Sequence, residues 1–168
     1  NESIHSALWY FECNENGEIV HVNWSHAFRQ ILGYHDILDF PNKLDSWSNL
    51  LHPEDYDRVM KLLLETIADK SNATKFSVEY RLKMQDGQYQ WFRASAEVIR
   101  RLDGSANRIA GIISNIDAEK RSRMQAQRAA AFHRAFTSAN LCEYYVNLEK
   151  NTFDTFKVEP RSEEHTSE

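Results

Sequence analysis

The sequence predicts an α+β fold: a five-stranded antiparallel sheet with short helices on one face, followed by a connector helix. Two observations predict the sheet. Three strand-like runs between residues 76 and 116 are separated by two Asp-Gly turns, and two further runs before residue 24 are joined by an Asn-Gly turn. Such dipeptides supply the positive φ that a tight hairpin needs.

The first two strands are predicted at residues 7–13 and 18–23. The three later strands are predicted at residues 76–84, 89–100 and 108–116. Residues 76–84 alternate strictly between apolar and polar side chains, which is the pattern of a strand with one buried face. Residues 108–116 carry apolar side chains on both faces, so this strand is predicted to lie centrally in the sheet.

The segment between the two groups of strands has helical periodicity in two places. A first helix is predicted after residue 23, with Asn23 as its N-cap and Gly33 as its end. Residues 34–51 are irregular, with one or two short helical turns expected. The longest helix of this segment is predicted to begin at Pro53, capped by His52, and to end near Asp69.

Beyond residue 117 the composition changes. Residues 118–134 contain no glycine or proline and carry five basic residues against one acidic residue, which predicts a basic connector helix. Residues 135–160 are predicted to begin a second domain that is cut short. Residues 161–168 are polar and are predicted to be a disordered or foreign tail.

Composition excludes several classes of function. The net charge of −5 argues against nucleic-acid binding, and no apolar run is long enough to span a membrane.

Cys13 and Cys142 are lone thiols, as expected in a reducing cytosol. We therefore expect a cytoplasmic fragment, either of a cytoplasmic protein or of the cytoplasmic part of a membrane-anchored parent. No phosphate loop, catalytic constellation or metal-ligand spacing is present in the sequence, so no enzyme or metal site is predicted.

Four segments, in this order and spacing, resemble motifs of the PAS domain family. They are Val22-Asn23 with Ala27-Phe28 and Leu32-Gly33-Tyr34; His52-Pro53-Glu54-Asp55; Glu79-Tyr80-Arg81-Leu82 with Asp86-Gly87 and Tyr89-Gln90-Trp91-Phe92; and Gly111 to Ile116. The resemblance covers residues 5–120. It implies a PAS fold and a sensor domain, residues 5–117, of a bacterial multi-domain protein such as a diguanylate cyclase, histidine kinase or chemoreceptor. The unit after residue 135 resembles a second PAS-type domain.

The resemblance implies a cup between the sheet and the helices that binds a small ligand or a partner. The candidate pocket residues are Trp24, Phe28, Tyr80, Trp91 and Phe92. The alternative is that the aromatic side chains simply fill the core. The domain would then be a ligand-free dimerisation or interaction module that uses the outer face of the sheet. A homodimer through the flanking helix or the sheet is expected.

The family's last strand usually ends in Asp-Ile-Thr, whereas this chain has Asn115-Ile116-Asp117, with the carboxylate displaced by two positions. These three residues are the predicted signal exit. A shift of the last strand would pass through them to the connector helix and on to an output domain that is absent from this chain.

The cofactor is unknown, and two cofactors of the family are not expected. Flavin adduct formation needs a reactive cysteine in an Asn-Cys-Arg-type motif on the helical side, but Cys13 falls on the first strand and Cys142 outside the domain. Haem sensors commonly use a histidine of the longest helix, and residues 54–70 contain none.

Overall fold

The structure is a computed structural model that describes residues 4–138, 143–147 and 152–156. The chain divides into two units, Asn1–Arg121 and Ser122–Glu168. The first unit contains the predicted sheet and the helices that connect its strands.

The five predicted strands form one antiparallel sheet. They are β1 (Ser6–Cys13), β2 (Ile19–Trp24), β3 (Phe76–Lys83), β4 (Tyr89–Arg100) and β5 (Ala106–Asn115), in the spatial order β2-β1-β5-β4-β3. Every neighbouring pair is antiparallel. The central position of β5 confirms the prediction drawn from its apolar side chains on both faces.

Three helices connect β2 to β3 and cover one face of the sheet, which we call the inner face. They are α1 (His26–Leu32), α2 (Leu44–Ser48) and α3 (Pro53–Ala68). Their buried side chains form one hydrophobic core with the inner side chains of the strands. The α+β fold class is confirmed.

The predicted N-cap of the first helix was wrong. Ser25 caps α1, and its hydroxyl accepts a hydrogen bond from the amide of Phe28 at 3.1 Å. Trp24 instead continues β2, because it pairs with Trp9 of β1. Its amide also donates to Asn42 Oδ1, and its indole nitrogen donates to the carbonyl of Lys43. Those contacts with a later loop are invisible in the local sequence. Gly33 ends α1 as predicted, with φ at 91°.

The start of α3 agrees with the prediction. His52 Nδ1 accepts a hydrogen bond from the amide of Glu54 at 3.1 Å, and Pro53 occupies the first turn. The histidine side chain accepts from one of the free amides at the start of the helix, and the proline has no amide hydrogen to leave unpaired. The first turn of α3 is thereby fixed against the edge of the sheet, where the amide of His52 donates to the carbonyl of Arg81.

After β5 the chain enters α4 (Asp117–Ser138), which begins one residue before the predicted connector helix and ends four residues after it. The second unit takes in α4 from Ser122 onwards and contains β6 (Glu143–Asn147) and β7 (Thr152–Phe156), which pair in antiparallel orientation. The predicted tail, residues 161–168, lies outside the described residues. Among the helices of the described ranges, none is long and apolar enough to cross a membrane.

Candidate functional site

The predicted cup is filled by side chains. The space between the sheet and the helices that the aromatic side chains line has an open volume of about 10 Å³, which is at the lower limit for one water molecule. Rings occupy the rest, since the centroid of Trp24 lies 4.5 Å from that of Phe28 and 5.3 Å from that of Phe11. A space of about 10 Å³ does not hold a small organic ligand.

One polar group in the wall of this space, the hydroxyl of Tyr80, is already bonded within the protein. The hydroxyl of Tyr80 accepts a hydrogen bond from the indole nitrogen of Trp47 at 3.2 Å. Burial raises the pKa of Tyr80 above its usual range, so the hydroxyl stays neutral. The hydroxyl packs as part of the core, and its oxygen already accepts from Trp47.

The five candidate pocket residues are not all together. Trp24, Phe28 and Tyr80 line the small remaining space. Phe92 is fully buried on the same inner face but does not line that space. Trp91 is half-buried on the opposite face, because neighbouring side chains of a strand alternate between faces. Ligand binding by these residues stays a prediction.

Cys13 lies at the end of β1 and is buried. The carbonyl of Cys13 accepts a hydrogen bond from the guanidinium of Arg101 at 2.6 Å. Burial raises the pKa of the Cys13 thiol, which disfavours the reactive thiolate. Within the ranges that the structure describes, no group of three His, Cys, Asp or Glu side chains could hold a metal ion.

The three residues of the predicted signal exit all bind β4. The amide of Ile116 donates to the carbonyl of Trp91 at 2.9 Å, and the amide of Trp91 donates to Asp117 Oδ1 at 3.2 Å. Asn115 Nδ2 donates to Gln90 Oε1 at 2.7 Å, and Asn115 Oδ1 accepts from the amide of Asp117 at 2.9 Å. The start of α4 is therefore fastened to β4 through both main chain and side chains.

A cluster of charges extends this attachment to β3. Glu79 contacts Lys120 Nζ at 2.7 Å and Arg93 Nη2 at 3.0 Å, and Arg93 also contacts Glu119 at 3.2 Å. Hydrogen bonds from Lys120 and Arg93 lower the pKa of Glu79. Sequence reasoning assigned Glu79 no paired role. The register across the Asp86-Gly87 turn could have found it, since Glu79 lies opposite Arg93 in the hairpin.

A second ion pair joins β3 to the first turn of α3. Arg81 donates to the Asp55 carboxylate through Nε at 2.9 Å and through Nη2 at 3.0 Å. Its Nη2 also donates to Glu54 at 2.9 Å. Burial alone would raise the pKa of Asp55, but hydrogen bonds from Arg81 and from Arg58 outweigh it and lower the pKa to about 2. The carboxylate therefore stays charged at neutral pH.

The other face of the sheet, which we call the outer face, carries apolar side chains in solvent. Leu8 is 67% exposed and Ile112 is 42% exposed, and both line a shallow depression of about 670 Å³. Charges beside them are paired within the domain, for example Arg108 with Glu12 at 2.7 Å. Exposed apolar surface rimmed by polar side chains is a common feature of protein interaction sites.

Comparison with known proteins agrees with this geometry. A family model described as PAS fold matches residues 21–113, more than half of the chain. The sensor protein FixL of Bradyrhizobium diazoefficiens is 31% identical over 99 residues, which are 59% of this chain. The chain spans about a fifth (19%) of the length of that relative.

Solved structures of other proteins share the fold. A sensory box histidine kinase/response regulator from Burkholderia thailandensis aligns with a TM-score of 0.62 at 22% identity, over 77% of this chain and 91% of that chain. The N-terminal domain of a diguanylate cyclase with PAS/PAC sensor from Marinobacter aquaeolei aligns with a TM-score of 0.55 at 19% identity, over 68% of this chain and 98% of that chain. At these identities the likeness concerns the fold alone.

Proposed function

Because the chain belongs to the PAS family, we propose that residues 5–117 form a regulatory domain that passes a signal through α4 to an output domain outside this chain. The output domain would be a diguanylate cyclase, histidine kinase or chemoreceptor module. The observation that carries the proposal is the attachment of the first turn of α4 to the sheet, through Asp117 on Trp91 and Lys120 on Glu79. The domain would work in the cytoplasm, where thiols such as Cys13 stay reduced.

The relay requires two arrangements of the sheet with different positions of α4. A stimulus can shift that equilibrium only by as much as it prefers one arrangement to the other. A change in β3 or β4 would act on α4 directly, because the hydrogen bonds and ion pairs at its start come from these two strands. Catalysis is not part of the proposal, and the chemistry of the parent would belong to its output domain.

The input of this domain is proposed to be association with a second copy at the outer face of the sheet. The filled cup favours this candidate over a small ligand in the core, since a ligand would first have to displace aromatic side chains. Leu8 and Ile112 are exposed, and the charges beside them are already paired within the domain. Both features favour self-association through this surface.

Replacing Leu8 with aspartate is expected to weaken self-association of the chain at least about tenfold, because a charge would be buried in an apolar contact. Analytical ultracentrifugation over a range of concentrations measures the effect. Leu38→Asp is the matched control, since Leu38 is 86% exposed in the loop after α1 and away from the outer face. A wild-type chain that stays monomeric, or that copurifies with a small molecule in native mass spectrometry, would contradict this input.

The relay itself is tested by lengthening α4 in the parent protein. Each residue inserted between Gln125 and Ala126 rotates the following chain by about 100° about the helix axis. Insertions of one or two residues are expected to change output activity by about fivefold or more, whereas seven residues restore nearly the original direction and should leave output close to wild type. Equal output for every insertion length would show that α4 does not carry the signal.

A further inference from the structure

Two cations from different elements lie on one indole ring. Lys120 Nζ of α4 is 4.4 Å from the ring centroid of Trp91, and Arg81 Cζ of β3 is 5.1 Å from it. Both distances fall within the range of about 6 Å over which the face of an aromatic ring attracts a cation. The ring therefore contacts α4 and β3 at the same time.

Each cation is held at its other side by a carboxylate. Arg81 binds Asp55 of α3 in bidentate geometry, which fixes the plane of its guanidinium. Lys120 binds Glu79 at 2.7 Å. The side chains of Arg81 and Lys120 are only 24% and 22% exposed, so solvent screens these contacts less than it screens ordinary surface pairs.

The main chain of Trp91 binds the same end of α4 as its ring does. Its carbonyl accepts from the amide of Ile116, and its amide donates to Asp117. If Arg81 moves the ring, the main chain of Trp91 moves with it. Because that main chain is bonded to Ile116 and Asp117, the movement reaches the residues at which α4 begins.

We propose that the ring of Trp91, with Arg81 and Lys120 against it, couples the first turn of α3 to the first turn of α4. Trp91, Arg81 and Lys120 are then positioning residues of the relay. Asp55 fixes the position of Arg81 through their ion pair, and Arg81 fixes the Trp91 ring through the cation–π contact. The ring and the carboxylate of Glu79 together fix Lys120. Release of Arg81 by the first turn of α3 loosens the start of α4. This inference rests on the proposed relay and names its path across the sheet.

A second connection between the same elements has to be separated from this one. Arg58 of α3 contacts Asp55 at 3.3 Å and donates to the carbonyl of Glu79 at 2.9 Å. It could pass a change at Asp55 to Glu79 without involving the ring. The test therefore has to remove the ring while leaving Arg58 and Glu79 in place.

The test is a double-mutant cycle on the 168-residue chain, read by hydrogen exchange of the α4 amides of residues 120–124. Asp55→Asn should raise their exchange rate about threefold in the wild-type background. In the Trp91→Leu background, or in Lys120→Met, the same substitution should cause no further change, whereas Lys120→Arg should keep the response. Amides of residues 109–113 in β5 report global destabilisation, which would raise exchange at both places.

Lys61→Met is the matched control, because the ion pair that Lys61 forms with Glu65 on α3 is exposed. An equal effect of Asp55→Asn with and without the Trp91 ring would assign the coupling to Arg58 and overturn the proposal, as would the absence of any effect in the wild type. The measurement needs no output domain, so its failure would remove this path and leave the relay. Equal output for all α4 insertions would remove the relay and leave the coupling.

Discussion

Gly111→Ala is expected to destabilise the domain by about 3 kcal/mol or more and to lower its Tm by about 10 °C or more. Gly111 lies in the central strand β5, where a Cβ atom would stand 2.4 Å from the carbonyl oxygen of Ser95 and 2.5 Å from the ring of Trp9. Neither neighbour can yield easily, since one is main chain of β4 and the other is a buried ring. Thermal unfolding followed by circular dichroism measures the loss.

Gly87→Ala is the control for this experiment. Gly87 has φ at 88°, and a Cβ atom added to it would meet nothing within 4 Å. Only backbone strain of about 1–2 kcal/mol is therefore expected. A Gly111 variant no less stable than the Gly87 variant would show that β5 and Trp9 do not pack as closely as described.

Arg29→Met is expected to destabilise the domain by about 3 kcal/mol. Arg29 is only 6% exposed, and its guanidinium donates to the carbonyls of Phe40 and Trp24 and to Asn42 Oδ1. Methionine fills a similar volume but leaves these buried oxygens without that donor, a loss only partly offset by removing a buried charge. Chemical denaturation measures the free energy of unfolding.

Arg29→Lys and Arg128→Met complete the comparison. Lysine keeps the charge but lacks the planar fork, so an intermediate loss of about 1–2 kcal/mol is expected. Arg128 is exposed on α4, and its replacement should change stability by less than about 0.5 kcal/mol. If Arg29→Met were as stable as the wild type, the guanidinium could not be what fastens the loop around Phe40 and Asn42 to α1.

The fold was predictable because its turns are encoded locally. Asp-Gly and Asn-Gly dipeptides fix where the hairpins reverse, and the alternation of residues 76–84 fixes which face of β3 is buried. The start of α1 was not predictable in the same way. Asn23 is a good capping residue, but Trp24 pairs with Trp9 and extends β2 beyond it, while its amide and indole nitrogen donate to Asn42 and Lys43. Those partners lie about twenty residues away, in a segment without regular periodicity.

The candidate site was predictable only in part, for a related reason. The segment predicted to be the signal exit is a short motif, and its position between β5 and α4 follows from the sequence. Whether aromatic side chains surround a cavity or close it depends on rotamers and packing, which composition does not reveal. The pairing of Trp91 with Arg81 and Lys120 combines a hairpin register with the direction in which α4 leaves the sheet. The hairpin register could be counted from the Asp86-Gly87 turn, but the direction of α4 is known only from the structure.

The most direct test of the relay is the output of the parent protein with Asp117→Ala. The alanine removes the acceptor for the amide of Trp91 and the ion pair with Arg121, so α4 loses part of its attachment to β4. Asp117→Asn keeps an acceptor oxygen, and Asp57→Ala removes an exposed carboxylate on α3 as a control. We predict that Asp117→Ala changes output or its response to the stimulus by about fivefold or more, while both other variants stay near wild type. Unchanged output and response in Asp117→Ala would contradict the proposal that the signal leaves the domain through this residue.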